Sequence, residues 1–215
     1  MVKTTSIRGA IVTLDEQFSE SFYQWYAQTG LSTAPLIALE FSGHGVPWLV
    51  FSLGTFLFKE DLSDAQRSTV AHLFVGLVTD LILIAVVKLI VRRKRPVHDS
   101  GKQLGSVEVI DKFSFPSGHC TRLMFVASFA LGSYLKLRVG TPMTCVALTI
   151  LANLVAVSRI ALGRHYIGDV IAGTVLGVLN SALVFAIWQP IEKVDWVRST
   201  ILGKLAELPG LLKHA

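Results

Sequence analysis

The sequence predicts an all-α fold, a polytopic membrane helix bundle of about five transmembrane helices, or six if the first is split. Three observations lead there. The 215 residues are 52% hydrophobic and 16% charged, with a mean hydropathy of +0.56, too apolar for a soluble domain. Five stretches of about 20 mainly apolar residues, the length that crosses a bilayer core, divide the chain. The polar residues best suited to chemistry gather near the ends of those stretches. The formal net charge is +5, with the excess concentrated in the run Arg92, Arg93, Lys94, Arg95. That pattern points to a phosphate or an anionic membrane surface as partner and not to a nucleic acid.

Residues 1–33 are expected to form an N-terminal interfacial segment. Leu14, Phe18, Phe22, Trp25 and Tyr26 recur at helical spacing while Asp15, Glu16 and Glu20 take the other side. An amphipathic helix lying in the interface has this pattern, and so does one packed on the bundle. No short charged-then-apolar leader opens the chain, so the first span is expected to act as its own insertion signal.

Residues 34–188 form the expected transmembrane catalytic domain, with spans at Ala34–Phe58, Thr69–Val91, Ser117–Leu137, Pro142–Leu162 and Tyr166–Trp188. Glu40, Ser42, Gly43, His44, Gly45 and Pro47 interrupt the first, which is kinked or built from two half-length pieces. Asp80, in the middle of the second, reads as a buried polar anchor bonded to a neighbouring span. Gly173 and Gly177 form a GxxxG that suits close helix packing. Glu40 and His44 are four apart and could pair, while Arg122 and Arg164 could meet lipid phosphate or solvent. Cys120 and Cys145 begin consecutive antiparallel spans from opposite faces, beyond the roughly 7 Å reach of a disulfide, and read as packing residues. The tail, 189–215, mixes charges with Ile201, Leu205, Leu208 and Leu211 and is expected to be interfacial or frayed.

Three clusters carry the chemistry, because ionisable groups within or beside a span are costly. Lys88, then six residues, then Arg95 and Pro96 close the second span. Seven residues is nearly two turns, so Lys88 and Arg95 share a face if the helix continues to Pro96, although such cations also serve merely as anchors. Pro116, Ser117, Gly118 and His119 open the third span. A serine-capped helix start offers unpaired N–H groups and positive dipole to an anion, Gly118 permits close approach, and His119 can donate a proton. Ser158, Arg159, five residues, His165, three residues and Asp169 join the fourth and fifth spans. The four-residue spacing lets Asp169 hold one nitrogen of His165 and leave the other free to attack, and Arg159 supplies a fork for phosphate oxygens.

Taken together, in order and spacing, these patterns resemble the signature of the type-2 phosphatidic acid phosphatase superfamily, over Asp80 to about Trp188. The stretch Leu39, Glu40, Phe41, Ser42, Gly43, His44, Gly45, Val46, Pro47, Trp48, Leu49 is most similar to the polyisoprenoid diphosphate phosphatase branch. The resemblance implies His165 as nucleophile through a phosphohistidine, Asp169 orienting it, and His119 as acid and then base. It implies Lys88, Arg95, Ser117, Gly118 and Arg159 as the phosphate cradle. No carboxylate cluster suits a metal pair, so metal-independent hydrolysis without a cofactor is expected. The expected substrate is a lipid phosphate or diphosphate, presqualene or farnesyl diphosphate first, with phosphatidate or a sphingolipid monophosphate as the alternative. The expected setting is a membrane, the endoplasmic reticulum or nuclear envelope for a eukaryotic source.

Alternating spans bring all three motifs to one face. Basic residues outside the spans number eight on each side, so the positive-inside rule abstains; the Arg92–Lys94 run favours a cytoplasmic site. A haloperoxidase would be soluble, and a silent scaffold would have lost motif residues. An anion transporter would line its cations along a midplane path. A sugar phosphatase would call for a recognition lobe.

Overall fold

A computed structural model describes residues 7–98 and 112–192, and among them every regular element is a helix. In chain order these are α1 (Ile7–Gln28), α2 (Ala34–Ser42), α3 (Gly45–Phe58), α4 (Asp64–Val91), α5 (Gly118–Leu137), α6 (Pro142–Ala161) and α7 (Ile167–Glu192). The tail from 193 onward lies outside the described residues.

Local chemistry sets the ends. Ser63 and Gln66 form a reciprocal capping box that starts α4 at Asp64, five residues before the expected Thr69. Thr141 caps α6 by accepting from Thr144 N, with Pro142 in its first turn. The first expected span is two pieces: α2 and α3 meet at a 40° bend where Gly43 and His44 leave the helix. The broken backbone is re-satisfied by side chains. Trp48 Nε1 donates to Ser42 O at 2.6 Å and Arg122 Nη1 to Gly43 O at 2.9 Å.

α4, α6 and most of α7 are each long and apolar enough to cross a membrane, and the α2–α3 pair makes a fourth span if counted as one. They expose Ile82, Val86 and Ile90, Val146, Ile150 and Leu154, and Ile171 and Val175, which are the surfaces a bilayer covers. α5 is as long as α6 but carries His119 and Arg122. It can afford that polarity because α4, α6 and α7 surround it. Its inner side chains build the core: Phe125, Val126 and Phe129 against Leu77, Val184 and Phe185, and Leu123 and Ala127 against Ala152 and Val155.

Asp80 is the expected anchor. Its Oδ2 lies 3.2 Å from Arg122 Nε, so Arg122 faces inward and the expectation that it could meet lipid or solvent is corrected. A buried carboxylate in hydrocarbon requires such a partner. Both cysteines are buried and free.

The most extensive helix contact is α5 on α7. A Cβ added to Gly173 would stand 2.7 Å from Ser117 O, and one on Gly177 would overlap the Thr121 carbonyl, so the GxxxG serves the packing expected of it. This crossing presses the start of α7 against the start of α5, where Ser117 N donates to Asp169 O at 3.0 Å. Gly177→Ala should therefore lower the thermal midpoint in detergent, costing about 1–3 kcal/mol by overpacking. Gly54→Ala, where an added Cβ meets nothing within 4 Å, should leave it unchanged; equal midpoints for the two variants would contradict the close crossing.

Candidate active site

The end of α4 departs from expectation. Lys88 is buried in the last turn, but the helix stops at Val91, where Arg92 takes a left-handed conformation (φ 51°). Residues 93–96 then leave the helix, with Lys94 bridged to Phe113 and Ser114 N donating to Arg93 O at 2.8 Å. Lys88 and Arg95 thus do not share a helix face, and Pro96 does not end α4. The strand-like turn brings Arg95 to the site by another route.

Ser117 precedes α5 with extended backbone (φ −72°, ψ 109°), leaving the first amides of the helix open to an anion. Its hydroxyl is buried and makes no cap; among the described residues it has no hydrogen-bond partner. A Cβ on Gly118 would touch only Ile84, at 3.7 Å. His119 is half-buried and its ring rests on Gly43, where a Cβ would stand 2.6 Å from it. The break between α2 and α3 therefore sits directly on His119.

α6 ends at Ala161, and Gly163 turns the chain at φ 64°, where an added Cβ would stand 3.1 Å from both Tyr23 and His98. Arg164 N and His165 N both donate to Arg159 O, at 3.0 and 3.2 Å. His165 therefore precedes α7 instead of lying on it, a correction to the shared helix face. Asp169, one turn into α7, reaches back: its Oδ2 accepts from Tyr166 N at 3.0 Å and lies 3.6 Å from His165 Nδ1. That separation exceeds a hydrogen bond and is close enough to become one on a small rotation.

His165 is 2% exposed. Burial pushes its pKa well below the usual imidazole value, and the positive charges of Arg159, Arg95 and Lys88 push the same way. It is a neutral base at pH 7. The same three cations thereby mark where the motifs converge, and His119 lies within electrostatic reach of both Arg159 and His165. A neutral imidazole beside three cations and a helix start can accept a tetrahedral oxyanion and attack its centre.

Several contacts were not legible in the spacing. Glu40 forms an ion pair with Arg159 and lies 3.2 Å from Arg164, so it does not pair with His44, whose ring accepts from Val46 N. Arg164 accordingly turns inward instead of to lipid. Arg93 Nη1 donates to Asp169 Oδ1 at 3.0 Å and to Asp15 Oδ2 at 2.7 Å, while its guanidinium stacks 3.9 Å over Tyr166. The polar side of α1 faces the bundle. Asp15 Oδ1 accepts from Gly168 N and Ser19 Oγ from Ile167 N, each at 2.8 Å. The apolar Leu14, Phe18 and Trp25 point outward, 51–64% exposed. The amphipathic pattern signalled the helix; nothing in it signalled which face meets protein. Among the described residues no group of three or more His, Cys, Asp or Glu could hold a metal ion.

The model of the PAP2 superfamily matches residues 69–193. A probable lipid phosphate phosphatase beta of Arabidopsis thaliana is 32% identical over 201 residues, covering 83% of this chain and 90% of the relative. A decaprenylphosphoryl-5-phosphoribose phosphatase of Mycobacterium tuberculosis is 31% identical, covering 67% of this chain and 73% of the relative. Among solved structures, the transmembrane PAP2-type phosphatidylglycerolphosphate phosphatase of Bacillus subtilis superposes with a TM-score of 0.61 at 24% identity, covering 86% of this chain and 89% of that one.

The depressed pKa of His165 is directly measurable. In protein carrying ¹⁵N-labelled histidine, the His165 ring should remain neutral at pH 6, where an ordinary imidazole of pKa about 6.5 is mostly protonated. A His165 ring protonated at both nitrogens at that pH would contradict the described burial.

Proposed function

The chain belongs to the PAP2 superfamily and is an integral membrane phosphoric ester hydrolase, and on that premise we propose that it removes phosphate from a lipid phosphate or diphosphate through His165. The observation that carries the reading is the buried, neutral His165 set among Lys88, Arg95 and Arg159. In phosphoryl transfer most of the catalysis is positioning and charge neutralisation, which is what these groups provide.

Nε2 of His165 attacks phosphorus as the bond to the leaving oxygen breaks, and His119 gives that oxygen its proton. Water then attacks the phosphohistidine while His119, now a base, takes the water's proton, and orthophosphate leaves as the P–N bond breaks. Asp169 orients His165. Lys88, Arg95, Arg159, the Ser117 hydroxyl and the amide of Gly118 hold the three non-bridging oxygens of the transferred phosphoryl group. His165→Ala should lower kcat by at least about 10³-fold and leave no phosphorylated enzyme. His119→Ala should cost about 10²-fold on an alkyl monophosphate and much less on an activated aryl phosphate. The reverse pattern, with the aryl ester rescuing only His165→Ala, would exchange the two roles.

For the substrate we favour an isoprenoid diphosphate, presqualene or farnesyl. The stretch Leu39–Leu49, similar to the polyisoprenoid branch, forms the α2–α3 break that touches His119 and supplies Glu40 to Arg159. The mycobacterial relative, named for a decaprenyl-linked substrate, supports an isoprenoid tail. The Arabidopsis relative's name supports lipid monophosphates, phosphatidate among them, as the second reading. At a site at the helix ends, a tail can stay in hydrocarbon, each buried CH₂ contributing about 0.8 kcal/mol to partitioning. In mixed micelles containing EDTA, kcat/KM should fall in the order farnesyl diphosphate, phosphatidate, soluble sugar phosphate. Phosphatidate far ahead would remove the isoprenoid assignment alone. A sugar phosphate turned over as well as the lipids would remove the membrane-surface reading, and loss of activity in EDTA restored by Mg²⁺ would remove the metal-free mechanism.

A further inference from the structure

We propose that Arg93 and Asp15 are positioning residues for the His165–Asp169 pair, so that α1 takes part in the reaction; the inference rests on His165 being the nucleophile. Asp169 is fully buried, and its two carboxylate oxygens have separate tasks. Oδ2 faces His165 Nδ1 and the Tyr166 amide; Oδ1 is held by Arg93 Nη1 at 3.0 Å. Fixing Oδ1 helps the Tyr166 amide keep Oδ2 turned to the imidazole, and a buried carboxylate needs a nearby cation to remain charged.

Arg93 is in turn immobilised on both sides. Its ring neighbour is Tyr166, next to the nucleophile, and its second carboxylate is Asp15 at 2.7 Å, with Glu16 at 3.9 Å. Asp15 completes a closed circuit, since its other oxygen takes the amide of Gly168, one residue before Asp169. Side chain and backbone of the same α7 turn are thus clamped by one residue of α1. Arg93 is not among the motif residues, and Asp15 lies outside the stretch that matches the family.

Asp15→Asn keeps the shape and removes the charge; Arg93→Gln removes the guanidinium and Arg93→Lys restores the charge without the fork. The full chain in nanodiscs is read by kcat and KM on farnesyl diphosphate and by inhibition with orthovanadate and with inorganic phosphate. Vanadate can bond the His165 nitrogen as a five-coordinate species and so reports its placement, whereas phosphate reports the cations. Asp15→Asn should lower kcat about tenfold and weaken vanadate similarly, with KM and phosphate inhibition within about twofold. Arg93→Gln should cost about 10²-fold and Arg93→Lys should recover part of it. In an Asp169→Asn background, Asp15→Asn should add nothing, because its path runs through Asp169. Wild-type kcat and vanadate affinity in Asp15→Asn, an equal loss in both backgrounds, or a change in KM alone would each overturn the proposal. A parent chain that binds vanadate in an Asp15-dependent way but hydrolyses no phosphate ester would overturn the proposed function while still supporting the positioning of His165 by α1.

Discussion

The architecture turns on burying positive charge at the ends of membrane helices. Lys88, Arg122 and Arg159 are all buried, and a cation withdrawn from water is tolerated only with compensating partners. The carboxylates are distributed accordingly: Asp80 beside Arg122, Glu40 on Arg159 and Arg164, Asp169 on Arg93. Each pair joins different helices or the segments between them. Electrostatic satisfaction and helix assembly are therefore one process.

This explains two irregularities that would be defects in a simple bundle. The break between α2 and α3 places Glu40 against the end of α6 and turns the Gly43 carbonyl to Arg122, so the interruption supplies acceptors where cations accumulate. The left-handed Arg92 ends α4 early and sends the next residues across the mouth of the bundle, which is how Arg93 and Arg95 reach α7 and the site. An α4 continued to Pro96 would have carried both along the helix axis.

Much of the site could be read from the chain because the motif residues are fixed by local backbone: a helix start at Ser117, a turn after Ala161, and a carboxylate four residues from His165. The helices were legible for the same reason, apolar length being a local property, although three of the five expected spans, or four with the α2–α3 pair, are long and apolar enough to cross a membrane. What was not legible joins residues far apart in sequence. Arg93 meets Asp15 across 78 positions and Arg159 meets Glu40 across 119, and no spacing rule links them. The shared face expected for Lys88 and Arg95 failed on a single dihedral, and the orientation of α1 depended on partners that its own periodicity does not specify.

The docking of α1 separates two notions of a domain. The family model begins at residue 69, yet two of the first amides of α7 are capped by Asp15 and Ser19 from far upstream. A fragment cut at residue 69 would leave those amides without their caps beside the candidate site. The stretch that defines the family is thus smaller than the unit that folds, and shortening the chain from its beginning would be felt first at the turn that carries His165.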